Sequence, residues 1–358
     1  MWILVLTRYG YLGASSRVRF FQYLPYIQSS TVTVTVSPFF RDRYVEGLQM
    51  GHKSAVEALY AYTKRFSTLV TAQRFDLLWI EKEMFPWFPA WFEKIMLPAG
   101  IPYVLDYDDA VFHYYDLHSS RWVRRLLGEK HDRIMQAAVL VIAGNPYLAD
   151  RANKAGASWV EIVPSVVDLN KYSVAATRHV GTNTEFVVGW AGSASTAMYL
   201  RLIEGPIWDL SKTDGMKFIA VGAGAFVADL PLVIKTWSEA DEVAQIYGFD
   251  VGIMPLPDAP FERGKCGYKL IQYMACGKPV VASPVGVNTR IVEHGVNGFL
   301  AETPQEWEWA LRTLHANPRL CDEMGAAGRK KVETEYSLQV MGPRVADLLL
   351  RAAKHGAH

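Results

Sequence analysis

Short runs of β-branched and aromatic residues alternate with longer segments of helical periodicity, and this alternation narrows the possible folds more than any other feature of the chain. Strand candidates in the first half are Trp2 to Thr7, Thr31 to Val36, Asp76 to Glu81, Tyr103 to Asp106, Val139 to Ala143 and Val160 to Val163. Helices fit between them, for example over Ser15 to Ile27, Ser54 to Val70 and Arg121 to Gln136. The alternation restarts with Phe186 to Trp190, Lys217 to Val221, Leu232 to Ile234, Asp250 to Met254 and Val280 to Ala282, and from about Pro304 the chain reads as helical. Such a pattern builds parallel sheets covered on both faces. A chain of 358 residues is too long for one ordinary core. The expectation is therefore α/β, with two doubly wound Rossmann-like domains over residues 1–168 and 169–336. Ligands of such sheets bind beyond the carboxyl ends of the strands, so two facing domains would share a central cleft.

The stretch FERGKCGYKLIQYMACGKPVVASPVG, Phe261 to Gly286, has the local character of a phosphate site. Gly264 and Gly267 free the backbone for close approach or positive φ, and Lys265 and Lys269 bracket the turn. Leu270, Ile271, Tyr273 and Met274 then recur at helical spacing until Gly277 and Pro279 end the helix. A helix start offers unpaired N–H groups and partial positive charge, so an anion at Gly267 would be held by backbone and lysines together.

Other strand ends supply further candidates. Gly10 and Gly13 precede a Ser15 helix cap, but the spacing is not a dinucleotide fingerprint, and the glycine pair is either structural or ligand-facing. Arg17 and Arg19 either meet an anionic ligand or are solvated. Glu81 to Glu83 follow another strand. Asp106, Asp108 and Asp109 invite a metal reading, but orienting an acceptor hydroxyl or capping the next element is favoured over holding a cation. The aromatic segment Met84 to Leu97 either packs in the core, meets a lipid-linked or glycan acceptor, or rests at a membrane interface. His131 has no spaced ligand partner and reads as a structural histidine.

Half the residues are apolar, a fifth are charged and the formal net charge is +1, which argues against disorder and against a basic nucleic-acid surface. Cys266, Cys276 and Cys321 form no metal-ligand spacing and no even framework, so a reducing cytoplasm is expected, with Cys266 a packed residue. The N-terminus lacks the pattern of a secretory signal, and no run approaches the roughly 20 apolar residues that span a bilayer. Any membrane contact would be peripheral, at the inner face.

Four ordered words give a resemblance to retaining nucleotide-sugar glycosyltransferases of family 4, which have the GT-B fold. MACGKPVVAS at Met274 to Ser283 and VGVNTRIVEHGVNGFLA at Val285 to Ala301 follow the family's C-terminal pattern. DVGIMPLP at Asp250 to Pro257 resembles the strand before the donor loop, and VPSVVD at Val163 to Asp168 the interdomain linker. The N-terminal half matches only in the order of elements. In this fold the last helix crosses back to the first domain, a place taken here by 337–358. The family signature carries two glutamates, one contacting the donor sugar and one the ribose; aligned on MACG these positions hold Gly264 and Gln272. Cations common after the first C-domain strand are missing from GWAGSASTAMYL, Gly189 to Leu200. A histidine that commonly contacts the donor sugar is replaced by Asp106 or Asp108.

The resemblance implies a metal-independent hexosyltransferase of polysaccharide biosynthesis that moves a sugar, with retention, from a nucleotide diphosphate sugar to a glycan or lipid-linked acceptor. No cofactor is expected beyond the donor itself, and no nucleic acid partner. Arg263, Lys265, Lys269 and the Gly267 N–H would balance the diphosphate, with Gly13, Gly192 and Ser193 beside it. Thr236 and Trp237 would lie near the base and Gln272 near the ribose. Glu262, Asp106 and Asp108 are the catalytic candidates; Arg17 and Glu83 would face the acceptor. Two alternatives stand: an inactive nucleotide-sugar-binding partner of another transferase, and a nucleotide-sugar 2-epimerase of the same fold.

Overall fold

The computed structural model describes residues 1–49, 52, 54–172 and 185–355. They form two compact units, one of Met1–Ser165, Gly264–Cys266 and Met341–His358, the other of Val166–Arg263 and Gly267–Val340.

The first unit is built on β1 (Trp2–Leu6), β2 (Thr33–Val36), β3 (Leu77–Glu81), β4 (Tyr103–Tyr107), β5 (Leu140–Ala143) and β6 (Val160–Ile162). Their order is β2-β1-β3-β4-β5-β6 and every pair is parallel. The continuous apolar runs ILVL and LLWI are buried on both sides, as parallel strands under two helical layers must be.

The second unit holds β7 (Val187–Ala191), β8 (Lys217–Val221), β9 (Leu232–Lys235), β10 (Val251–Met254), β11 (Val280–Ala282) and β12 (Gly298–Leu300), again all parallel, in the order β12-β11-β10-β7-β8-β9. Side chains of β7 alternate between two cores: Val187 and Ala191 join Tyr273 and Met274, whereas Val188 and Trp190 join Ile207 and Trp307. Strand order reverses between β1 and β3 in one sheet and between β7 and β10 in the other, so each unit is doubly wound and has a crossover point of the kind where ligands bind.

Three details depart from the sequence expectations. The helix expected over Ser15 to Ile27 is Ala14–Arg19, then a 3-10 turn and Leu24–Ile27, because Phe20 leaves helical geometry and Pro25 takes the opening turn of the last piece. The helix expected over Arg121 to Gln136 is two, Arg121–Leu127 and Lys130–Ala137, separated at Gly128 and Glu129. β12 was not among the strand candidates; its three residues pair with β11 although Gly298 has no side chain to signal a strand.

His131 is the buried structural residue its sequence context implies. Its Nδ1 meets the Tyr107 hydroxyl at 2.7 Å. Burial, only partly opposed by Glu83, pushes the imidazole down from 6.5 to about 3. The unfolded chain therefore takes up the proton first: stability is complete above pH 6.5 and falls as the pH drops from there towards about 3. In paired urea melts, the stability gap between wild type and His131→Phe should shrink by ~1.4 kcal/mol per pH unit below the unfolded value. A gap that stays constant from about pH 7 to about pH 5 would refute the neutral buried imidazole.

Candidate functional site

In the second unit, the crossover between β7 and β10 gathers several sequence-predicted residues. β7 runs into Gly192, whose N–H donates to Val221 O (3.0 Å), and β8 runs into Gly222, whose N–H donates to Lys235 O (2.8 Å). The two turns touch closely enough to exclude side chains. A Cβ on Gly222, which has φ +77°, would lie 2.2 Å from Gly192 O and 3.2 Å from Trp237 Cβ. A Cβ on Gly192 would lie 2.5 Å from Lys269 Cε and 2.7 Å from its Nζ.

Lys269 stands in the first turn of the helix Tyr268–Ala275, entered through left-handed Gly267. A side chain at Gly267 would strike Ile291 Cδ1 at 2.3 Å. The Lys269 ammonium lies 4.3 Å from the centre of the Trp190 ring and donates to Thr196 Oγ1 at 3.1 Å. The Thr196 hydroxyl in turn donates to Ser193 O at 3.0 Å. Trp237 is oriented by its indole N–H donating to Glu242 Oε1 at 2.8 Å, and the Thr236 carbonyl accepts from Gln245 Nε2 at 3.2 Å. Glu262 Oε1 accepts from the Tyr199 hydroxyl at 2.5 Å. Gly192, Ser193, Trp237 and Lys269 are thus assembled around two glycine turns, whose own N–H groups are taken by Val221 O and Lys235 O, with hydroxyls and an ammonium beside them. That chemistry suits a phosphorylated ligand.

Three other donor candidates are placed differently. Arg263 forms a two-point ion pair with Asp258, at 2.6 and 2.8 Å. Lys265 belongs to the first unit, where it pairs with Asp109 at 3.6 Å. Gln272, expected at a ribose, is buried, and its amide donates to the buried Tyr172 hydroxyl at 3.1 Å. Of the cations predicted to grip a diphosphate, Lys269 is the one beside Gly192.

In the first unit the crossover is filled by the protein's own carboxylate. Glu81 Oε2 accepts from the Arg8 N–H (2.7 Å) and Ser16 Oγ (2.6 Å), and Glu81 Oε1 lies 2.9 Å from Ser15 Oγ, whose single proton it shares with Asp108. Gly13 opens that helix because a Cβ there would lie 2.3 Å from Tyr9 Cβ, and Arg17 reaches Tyr11 O at 3.4 Å. Lys82, held at φ +64°, pairs with Asp108 Oδ1 at 2.7 Å, while Ser15 Oγ donates to Asp108 Oδ2 at 2.6 Å. Burial alone would raise the Asp108 carboxyl, but Lys82 and the Ser15 hydrogen bond hold it below its ordinary range. Asp106 is buried against Arg19 at 2.8 Å, and burial outweighs that cation to push its carboxyl up to about 6. Each of these carboxylates faces a cation of the chain itself, and among the described residues no cluster of His, Cys, Asp and Glu is arranged to hold a metal.

Glu83, expected at an acceptor, lies inside a buried ion cluster. It meets Lys130 at 2.6 Å, Arg8 at 2.9 Å and the Tyr115 hydroxyl at 2.9 Å, and Lys130 also pairs with Glu93 at 2.8 Å. Burial would raise the Glu83 carboxyl; Lys130, His131 and Arg8 together overcome it and pull it down to about 2. Cys266 packs with its thiol on Asp108 O at 3.1 Å, and burial pushes it up to about 12. Sequence reasoning reached Lys82 only as part of the strand end Glu81 to Glu83, and it missed Lys130 and Tyr199. A lysine at positive φ has no local signature, and the other two acquire their roles from contacts distant along the chain.

Residues 208–317 match the family model of group 1 glycosyl transferases. The matched stretch contains Trp237, Glu262 and Lys269. TuaH of Bacillus subtilis (strain 168), a protein named for teichuronic acid biosynthesis and a glycosyltransferase activity, is 28% identical over 181 residues. That alignment covers 46% of this chain and 45% of TuaH, so the chain matches less than half the length of this relative. Among solved structures, Anabaena Alr3699/HepE in complex with UDP superposes with a TM-score of 0.71 at 19% identity, covering 98% of this chain and all (100%) of that one. Sucrose-phosphate synthase from Thermosynechococcus elongatus gives 0.75 at 15% identity, covering 99% and 100%. The fold is GT-B, with two Rossmann-like domains.

The packing around Gly192 can be tested directly. Gly192→Ala places a methyl 2.8 Å from Trp190 Cη2 as well as against Lys269, and should destabilise the protein by about 1–3 kcal/mol in urea unfolding. Gly205→Ala, where nothing lies within 4 Å, should stay within about 0.5 kcal/mol of wild type. Equal effects at the two positions would show that Gly192 is not closely packed.

Proposed function

We propose that the chain is a glycosyltransferase that moves a sugar, with retention, from a nucleoside diphosphate sugar to a hydroxyl of a glycan or lipid-linked acceptor, without a metal ion. The observation that carries this reading is the placement of Lys269 at the β7–β10 crossover, over Trp190 and against Gly192. The group 1 family match over 208–317 and the UDP found with the HepE fold support it.

In this mechanism the diphosphate lies along Gly192, Ser193 and Thr196, with the Lys269 ammonium on an anionic oxygen. Negative charge grows on the diphosphate as the glycosidic bond breaks, so the ammonium binds the transition state more strongly than the ground state. Trp237, fixed by Glu242, offers an indole plane to the base. Glu262, oriented by Tyr199, accepts a hydrogen bond from a sugar hydroxyl. Asp108, kept ionised by Lys82, is the first unit's candidate for orienting an acceptor hydroxyl.

The alternative of a nucleotide-sugar-binding partner without turnover is favoured by one observation, the burial of Gln272 against Tyr172, which leaves the ribose without the expected amide. The two readings separate in one experiment. Thermal shift with a panel of UDP-, GDP- and TDP-sugars identifies the donor, and radiolabelled transfer or slow donor hydrolysis then reports turnover. Lys269→Ala should lower turnover by about 100-fold, since one lost charge-stabilising contact costs roughly 2.7–4 kcal/mol in the transition state. Unchanged turnover in the variant would refute the assignment of Lys269, and donor binding with neither transfer nor hydrolysis in wild type would favour the inactive partner.

A further inference from the structure

The aromatic segment after β3 is only partly used by the core. Met84 and Phe85 are buried, but Trp87 is 53% exposed, Trp91 59% and Ile95 71%. The helix Arg121–Leu127 adds Trp122 and Leu126, both about 70% exposed at 73% and 68%. These two pieces of the first unit adjoin. The Trp87 ring packs edge-on to Tyr115 and His118 at 5.2 and 5.9 Å, and Arg124 donates to the His118 and Ser119 carbonyls at the head of the second helix. Trp91 meets Phe92, which packs on Phe88, and Trp87, next to Phe88 in the chain, makes the contacts to Tyr115 and His118.

The charges on these two helices have one sign. The exposed ionic residues of Ala90–Met96 and Arg121–Leu127 are Lys94, Arg121, Arg124 and Arg125; the acid within these spans, Glu93, is buried against Lys130. Exposed tryptophan and branched aliphatic side chains flanked by lysine and arginine match the boundary of an anionic bilayer, where indoles sit among headgroups and cations meet phosphates. A folded protein partner would more often offer mixed charge, and a free glycan would not meet Ile95 or Leu126. No described helix is long and apolar enough to cross a membrane, so contact would be by surface insertion.

We propose that this face of the first unit docks on a membrane surface of anionic phospholipid, with Trp87, Trp91, Ile95, Trp122 and Leu126 entering the headgroup layer and Lys94, Arg121 and Arg125 pairing with lipid phosphates. The inference rests on surface chemistry alone and holds whether or not the donor site is assigned correctly.

Co-sedimentation of the full chain with phosphatidylcholine vesicles, with or without about 30% phosphatidylglycerol, tests it without any nucleotide. The anionic vesicles should bind about tenfold more tightly or better, and raised salt should weaken the binding. Trp91→Glu with Ile95→Glu, and separately Arg121→Glu with Arg125→Glu, should each lower binding by about tenfold or more. The changed side chains are exposed, so thermal melting should match wild type. No binding, equal binding to both vesicle types, or loss only in the arginine variant would overturn the proposal. So would a dimer in sedimentation that Trp91→Glu dissociates, which would make the face a self-association surface instead.

Discussion

The Glu81 carboxylate sits at the head of the first helix and decides what the first unit can bind. A helix start beyond a central parallel strand attracts an anion, through unpaired N–H groups and the alignment of peptide dipoles. Here the anion is supplied from β3, and Arg8, Ser15 and Ser16 all direct donors at it. The corresponding crossover in the second unit presents two glycine turns, a pair of hydroxyls and Lys269. Two sheets of the same construction thus differ in sign at the same topological position. In the proposed mechanism the anionic donor lies at the second, and Asp108 of the first meets a group that donates a hydrogen bond.

A second constraint lies two residues further along the chain, at Glu83. Lys130 is buried between Glu83 and Glu93, with Arg8 on the far side of Glu83. Taking four charges out of water is costly, and the attraction among them offsets that cost only if each is fully paired. The Glu93 carboxylate also accepts from the backbone N–H groups of Met84 and Phe85, which ties the ion cluster to the chain just before Trp87. The same cluster that removes Glu83 from any acceptor role thereby fixes the start of the exposed aromatic segment.

Much of this architecture was legible in the order of residues. Central strands buried on both faces read as unbroken apolar runs and outer ones, such as TVTV of β2, as β-branched stretches, so eleven of the twelve strands of the two sheets could be located by pattern, and β12 could not because GFL is glycine-led. The site was legible in part. Gly192 and Lys269 could be proposed from a glycine and a lysine beside strand ends, and the structure brings the two together at the β7–β10 crossover. Arg263, Lys265 and Gln272 share another feature: each is engaged by a partner of the chain that the sequence pattern did not announce. Asp258 is five residues from Arg263, but Asp109 and Tyr172 lie far along the chain from Lys265 and Gln272. The helix break at Phe20 was missed because phenylalanine is no breaker by type, and the one after Gly128 because a lone glycine is tolerated within a helix while the chain leaves helical geometry at Glu129.

The departures from the glutamate signature have a physical cause in the packing. A Cβ on Gly264 would lie 2.4 Å from Ala110 Cβ and 2.9 Å from its backbone nitrogen, and Asn145 donates to the Gly264 carbonyl at 2.7 Å. No side chain fits there, so the position cannot offer a carboxylate to any ligand. At 272 the helix turns its side chain into the core, where a neutral amide satisfies Tyr172 and an ionised glutamate would carry a buried charge. In the proposed mechanism the sugar-facing carboxylate comes from elsewhere, and Glu262 is the candidate: its Oε1 accepts from the Tyr199 hydroxyl, whereas Asp258 is committed to Arg263. A hydrogen bond from Tyr199 fixes the direction of that carboxylate, which is what the proposed role of orienting a sugar beside a departing diphosphate requires.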